Sequence, residues 1–199
     1  MTSGVTEPPL SEKCFDADCV RRVADGDKNA CRLLVDRHLR SIVNFAYRML
    51  GDRSEAEDVA QETFIRLWTN AKTWESRARL TTWLHRVARN LCLDRMRTSR
   101  SVDIDSLSDP VDSRPSVLAQ MESLRRENAV RQALMQIAER QRAALSLVYY
   151  QGMSNRQAAD VLDVEVDALE SLLARGRRAL RQRLHGSFDS ENSKWGHVT

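Results

Sequence analysis

Between Ser154 and Leu184 the chain reads SNRQAADVLDVEVDALESLLARGRRALRQRL, a short helix, a tight turn and a longer helix with one apolar and one basic face. Ser154 supplies an N-cap, and Gln157 three residues on completes a capping box. Ala158, Ala159 and Leu162 give the first helix small apolar contacts that let a partner helix approach. Asp163 can adopt the left-handed conformation that such a turn needs. In the second helix Leu169, Leu173, Gly176, Leu180 and Leu184 fall on one stripe at ~100° per residue, and Ser171, Arg175, Arg178 and Gln182 on the other. A solvated bundle helix intersperses its charges. Here no acid follows Glu170 until Asp189, while Arg175, Arg177, Arg178, Arg181 and Arg183 crowd the segment. Arginine concentrated after a helix-turn-helix pattern suits the phosphate backbone, with the helix start in the major groove. The pattern as a whole points to DNA.

The rest of the chain supports a helical frame for this unit. Glycine and proline are scarce, at 7 and 4 of 199 residues, which favours an all-α fold over a sheet-rich one. A net charge of +3 says little, but the acidic and basic runs are segregated. Cys14, Cys19, Cys31 and Cys92 lack paired spacing and read as reduced thiols of a cytoplasmic protein; Cys14, Cys19 and His38 fit no common zinc pattern. No apolar run reaches the ~18 residues of a membrane span, and no secretory leader is evident. The four histidines are scattered, and neither a nucleophile–base pair nor a phosphate loop is present, so the chain does not read as an enzyme and calls for no cofactor or metal.

Taken in order, residues 1–24 read as a partly disordered extension, in which Cys14 and Cys19 lie with Phe15 and Val20 in a short stretch that can form a helix. A helix is expected from about Asn29 to Leu50, burying Leu34, Leu39, Ile42, Val43, Ala46 and Met49, with Gly51 closing it. Ser54 and Glu57 offer a second capping box for a helix to about Ala71, lined by Ala56, Ala60, Phe64, Leu67, Trp68 and Ala71. Its acidic start suits the helix dipole, and would equally seat a basic partner. A helix from Trp83 to about Arg97 turns Leu84, Val87, Ala88, Leu91 and Cys92 inward and Arg86, Asn90, Leu93 and Arg97 outward. Seven arginines and one acid lie between Arg77 and Arg100. Arginines beside Trp83 suit unpaired DNA, and core packing explains that ring as well. Residues 99–116 are serine- and aspartate-rich and read as a flexible linker. A helix resumes near Val117, Ala133–Ile137 and Arg140–Tyr150 lead into the helix-turn-helix, and 187–199 read as a loose tail.

Together RSEAEDVAQETFIRLW, TTWLHRVARNLCLDRMR and ERQRAALSLVYYQGMSNRQAADVL resemble the sigma-70 family of RNA polymerase initiation factors, and most closely its short extracytoplasmic-function (ECF) members. The resemblance covers about residues 28–98 and 125–185. It implies two small helical domains, region 2 over 25–98 and region 4 over 117–186, joined by a flexible linker. The implied partners are core RNA polymerase (its β′ clamp helices and β flap), promoter DNA and an anti-sigma factor, with no membrane insertion and no small-molecule substrate. Glu55, Glu57, Asp58, Gln61 and Glu62 match the polymerase-gripping part. Arg77, Arg79, Trp83, Arg86, Asn90 and Arg97 match the part that opens and captures the −10 strand. Asp167, Ala168, Ser171, Arg175, Arg178 and Gln182 match the −35 reader. Two departures bear on DNA preference: Asp163 stands where a glycine is common, and Asp167-Ala168-Leu169-Glu170 replaces a glycine-threonine-valine-lysine run. The competing reading, a stand-alone helix-turn-helix repressor, leaves the arginine-rich first-domain helix unexplained.

Overall fold

The computed structural model describes residues 12–74, 79–102 and 128–193, with side chains described over 15–74, 79–98 and 128–184. Every regular element in these stretches is helical. Within the partly disordered extension expected over 1–24, the short stretch holding Cys14 and Cys19 belongs to α1 (Glu12–Ala24), which buries Cys19, Val20 and Val23 and is longer than its sequence suggests. Periodicity is weak there because the buried stripe is only a few residues long.

Helix α2 (Lys28–Leu50) starts at Asp27, whose Oδ1 accepts from the Asn29 and Ala30 amides at 2.8 and 3.2 Å. It stops at Gly51, whose φ of 80° and N–H bond to the Tyr47 carbonyl make a left-handed terminator. Its central position, against α1 and both following helices, accounts for the complete burial of Leu34, Ile42, Phe45 and Met49. Leu39, expected inside, is 39% exposed, because the elements around α2 leave that edge of the stripe uncovered.

Helix α3 (Arg53–Asn70) is capped by Asp52, whose carboxylate accepts from the Glu55 amide at 2.8 Å. The expected Ser54–Glu57 box is therefore displaced by two residues: an aspartate outside the helix reached the orphan amides first. Trp68, expected on the buried side, is 38% exposed. A 3₁₀ turn (Ala71–Thr73) follows, and then α4 (Leu80–Val102), which starts earlier than expected and runs through the first four residues assigned to the linker. Residues 103–116 and the expected helix start at Val117 lie outside the described residues.

In the second unit α5 covers residues 128–135, α6 Glu139–Leu145 and a π-helical turn Ser146–Tyr150. The helix-turn-helix is α7 (Asn155–Leu162) and α8 (Val166–Ser193). α8 continues through residues read as the start of a loose tail. The two units share one buried core: Leu134, Ile137, Leu145 and Leu147 belong to the same apolar cluster as Ile42 and Met49.

Polar contacts stitch this seam. The buried Arg142 guanidinium donates to the carbonyls of Met49, Met135 and Ile137, the latter two at 2.7 and 3.3 Å. It satisfies oxygens that the ends of α2 and α5 leave without intrahelical partners. Ser41 Oγ donates to Gln151 Oε1 at 2.6 Å, and Gln151 Nε2 returns a bond to the Ser41 carbonyl at 3.2 Å. His85 lies beside them with Nε2 at 3.4 Å from Ser41 Oγ and Nδ1 at 2.8 Å from the Thr81 carbonyl.

Candidate nucleic-acid and partner interfaces

The helix-turn-helix has the local chemistry its sequence predicts. Ser154 Oγ accepts from the Gln157 amide at 3.3 Å, and Gln157 Oε1 accepts from the Ser154 amide at 3.0 Å, so the capping box is complete. Asp163 closes α7 in the left-handed region, at φ 56° and ψ 54°. The aspartate thus takes the conformation for which a glycine is usual, and the turn geometry is kept. On α8, Leu169, Leu173 and Gly176 are buried, while Asp167, Ala168, Ser171, Arg175, Arg178 and Gln182 are exposed along the opposite side. Gly176 permits the close approach of α6: a Cβ there would meet Leu145 Cδ1 at 3.1 Å. Arg175 Nε donates to the Ser171 carbonyl at 3.2 Å, Arg177 Nη1 to Tyr149 Oη at 2.6 Å, and Glu170 accepts from Asn155 Nδ2 at 3.3 Å. Glu170 is thus held by the start of α7 and lies at the edge of this face.

The stripe on α4 is differently placed. Arg79, Arg86, Asn90 and Arg97 are exposed, and Trp83 is half-buried against the core, so its ring combines packing with an accessible edge. Arg77 lies outside the described residues. Arg86 Nη2 donates to the Asp160 carbonyl at 2.7 Å and approaches Asp163 Oδ1 at 3.4 Å, which seats part of the stripe against α7. Asn90 Oδ1 accepts from Arg89 Nη1 at 3.3 Å. Arg89, absent from the sequence-based set, is half-buried, and its burial pulls the guanidinium pKa down, with Arg140 adding to the effect. Its position at i+3 from Arg86 was the available signal.

The acidic start of α3 forms a third surface. Glu55, Glu57, Asp58 and Gln61 are exposed and Glu62 is half-buried. Arg95 of α4 pairs with Glu55 and stands 3.7 Å from Asp58, Arg53 pairs with Glu57 at 2.6 Å, and Arg66 with Glu62 at 2.9 Å. Exposed pairs of this kind contribute only ~0–1 kcal/mol each, so a basic partner can displace the arginines at small cost.

His38, considered beside Cys14 and Cys19, instead lies with Nε2 3.1 and 3.2 Å from the two oxygens of buried Asp16, an α1–α2 tie. Cys19, Cys31 and Cys92 are free thiols. No described helix is long and apolar enough to cross a membrane.

Described residues that are helical throughout their regular elements, with a helix-turn-helix, a second arginine-bearing helix and a separate acidic face, define the class of DNA-directed transcription components. Family models for Sigma-70 region 2 and Sigma-70, region 4 match residues 34–102 and 127–180. Among relatives, ECF RNA polymerase sigma factor SigL of Mycobacterium tuberculosis is 34% identical over 77% of this chain and 88% of its own length. ECF RNA polymerase sigma factor SigW of Bacillus subtilis is 29% identical over 83% and 94%. The chain belongs to the ECF group of sigma-70 RNA polymerase sigma factors. In fold it is similar to CnrH, solved in complex with the cytosolic domain of CnrY, with a TM-score of 0.66 at 23% identity over 86% of this chain and 98% of that one. It is likewise similar to RpoE of Bartonella quintana, solved with the anti-sigma factor NepR, at a TM-score of 0.61 and 24% identity over 77% and 96%.

Proposed function

We propose that this sigma factor divides initiation among its three surfaces: the acidic start of α3 holds core polymerase, α4 acts on the separated −10 strand, and α8 reads the −35 duplex. The exposed α8 stripe carries the reading. Only a duplex major groove accepts a whole helix, and Asp167, Ala168, Ser171, Arg175, Arg178 and Gln182 all face outward on it. α4 combines arginines with Trp83 and Asn90, groups suited to stacking on and hydrogen-bonding an exposed base. Charge reversal of Glu57 and Asp58 to Lys should abolish assembly with core polymerase while the circular-dichroism helix signal stays. Arg175→Ala and Arg178→Ala should weaken upstream binding, a base contact by ~1–3 kcal/mol at one position and a phosphate contact evenly across sequences. Asn90→Ala should spare that binding and reduce permanganate reactivity of unpaired thymines. Wild-type behaviour of Asn90→Ala on both a closed and a pre-melted template would refute the α4 assignment.

An anti-sigma factor is the regulatory partner in this reading. Leu33, Leu39, Ile65 and Trp68 stand exposed on α2 and α3, apolar side chains that a partner can cover. RpoE, similar in fold, was solved with the anti-sigma factor NepR. Trp68→Glu should weaken capture of the chain by its anti-sigma factor; unchanged capture would remove this surface from the interface.

A further inference from the structure

A cleft of about 560 Å³ opens at the seam between the two units, where the C-terminal half of α2 and the start of α3 face α5 and Tyr150. Arg48, Arg53 and Arg131 line it together with Tyr47, Tyr150 and Asn128, and no acid occurs among its described lining residues. Among the described residues only Arg53 has a counter-ion, Glu57 at 2.6 Å. Arg48 donates to the Asn44 carbonyl at 3.0 Å and lies 4.0 Å over the Tyr150 ring. Arg131 reaches the Gly51 carbonyl at 3.3 Å and lies 5.7 Å from the Tyr47 ring centroid, and its buried Nε has no acceptor. Two guanidiniums are thus partly desolvated, placed beside aromatic rings and left without a carboxylate among the described residues. Burial shifts Arg48 toward its neutral form, the cost that a bound anion removes.

We propose that this cleft binds a phosphate-bearing small molecule of nucleotide size, gripped by Arg48 and Arg131 from opposite sides of the seam. Planar guanidinium forks match phosphate oxygens in pairs, and bonds to the Asn44 and Gly51 carbonyls beside the tyrosine rings orient them in advance. Three guanidiniums with one carboxylate nearby suit a di- or triphosphate better than a single carboxylate. The volume lies within the ~300–1,000 Å³ range of small-molecule sites, well beyond what inorganic phosphate fills. Because the ligand touches both units, it favours the arrangement in which they are joined.

The test is calorimetric titration of the full chain with ADP, pyrophosphate and, as a carboxylate control, citrate. ADP should bind, pyrophosphate should bind more weakly, and citrate should give no measurable heat. Arg48→Gln and Arg131→Gln should each weaken ADP binding roughly tenfold or more, equivalent to about 1.4 kcal/mol. Arg48→Lys should fall between, keeping charge but losing the fork. Arg32→Gln, on an exposed residue distant from the cleft, should change nothing. The melting temperature should rise by about 5–10 °C at ADP concentrations 100 times the Kd. If a Gln variant loses helix signal, the Lys variants at both positions decide instead. Absence of heat and of any melting shift at about 5 mM ADP would place affinity beyond the millimolar range and overturn the proposal. So would citrate binding as tightly as ADP, or an equal loss in Arg32→Gln.

Discussion

His85 shows how one residue can tie pH to the seam. It is 3% exposed, sits edge-on to Phe45 and is flanked by Ser41. Desolvation lowers its pKa from 6.5 to about 4, only partly offset by its bond to the Thr81 carbonyl, while His38 nearby adds a further downward push. The folded state therefore holds the ring neutral, with Nδ1–H donated to Thr81 and Nε2 facing Ser41. Its folded pKa lies below the unfolded one, so the unfolded chain takes up the proton first. The stability linked to His85 is complete above about pH 6.5 and is lost as pH falls toward 4, by roughly 3 kcal/mol over that window. Urea midpoints at pH 7 and pH 5 should thus differ more for the wild type than for His85→Gln. Equal pH dependence of the two would refute the assignment. The neighbouring Cys92 thiol, pushed up to about 12 by burial, should resist alkylation at pH 8 in the native chain.

At the scale of elements, the terminators of α2 and of the π-helical turn separate local strain from packing. Gly51 and Gly152 both have positive φ, at 80° and 66°. A Cβ on Gly152 would meet nothing within 4 Å, whereas one on Gly51 would lie 2.9 Å from Met135 Sδ, across the seam. Gly152→Ala should therefore cost about 1 kcal/mol, the backbone term alone. Gly51→Ala should cost more and speed hydrogen exchange in α5 and α6, which Gly152→Ala should leave unchanged. The capping box of α7 was legible in the sequence because its physics is confined to four residues. Ser154→Ala should cost ~1 kcal/mol in urea unfolding. What sequence could not reveal depends on distant partners. Arg142 within ERQRAAL reads as a solvated helix residue, yet carbonyls at the end of α2 bury it. Leu39 and Trp68 follow the apolar period and stay exposed, because a period identifies a stripe and not what covers each part of it. The exposure of the two arginine-bearing stripes was legible, since Arg86, Arg97, Arg175 and Arg178 keep their helical spacing on open faces. The engagement of Arg86 by Asp160, 74 positions away in sequence, was not.

For the whole molecule, the joined arrangement and the proposed function make opposing geometric demands. Arg86 on α4 touches the Asp160 carbonyl of α7 at 2.7 Å. The two promoter elements that these units would read are centred about 25 base pairs apart, about 85 Å along B-DNA at ~3.4 Å per step. One body with this seam closed cannot reach both. Under that reading, engaging a promoter must separate Ser41 from Gln151, free Arg142 from the end of α2 and release Arg86 from the Asp160 carbonyl. The experiment is a lock. Ser41→Cys and Gln151→Cys, placed where Oγ and Oε1 stand 2.6 Å apart, can be joined by a short cleavable bismaleimide. The background should carry Cys14→Ser and Cys31→Ser, while buried Cys19 and Cys92 have raised thiol pKa values and react slowly. The locked chain should bind a duplex carrying only the upstream element as well as the unlocked one does, because the α8 stripe faces outward in the joined form. It should fail in run-off transcription from a promoter with both elements, and reduction of the linker should restore the transcript. Full transcription by the fully conjugated chain would mean that the seam stays closed during initiation and that the three-surface division is wrong.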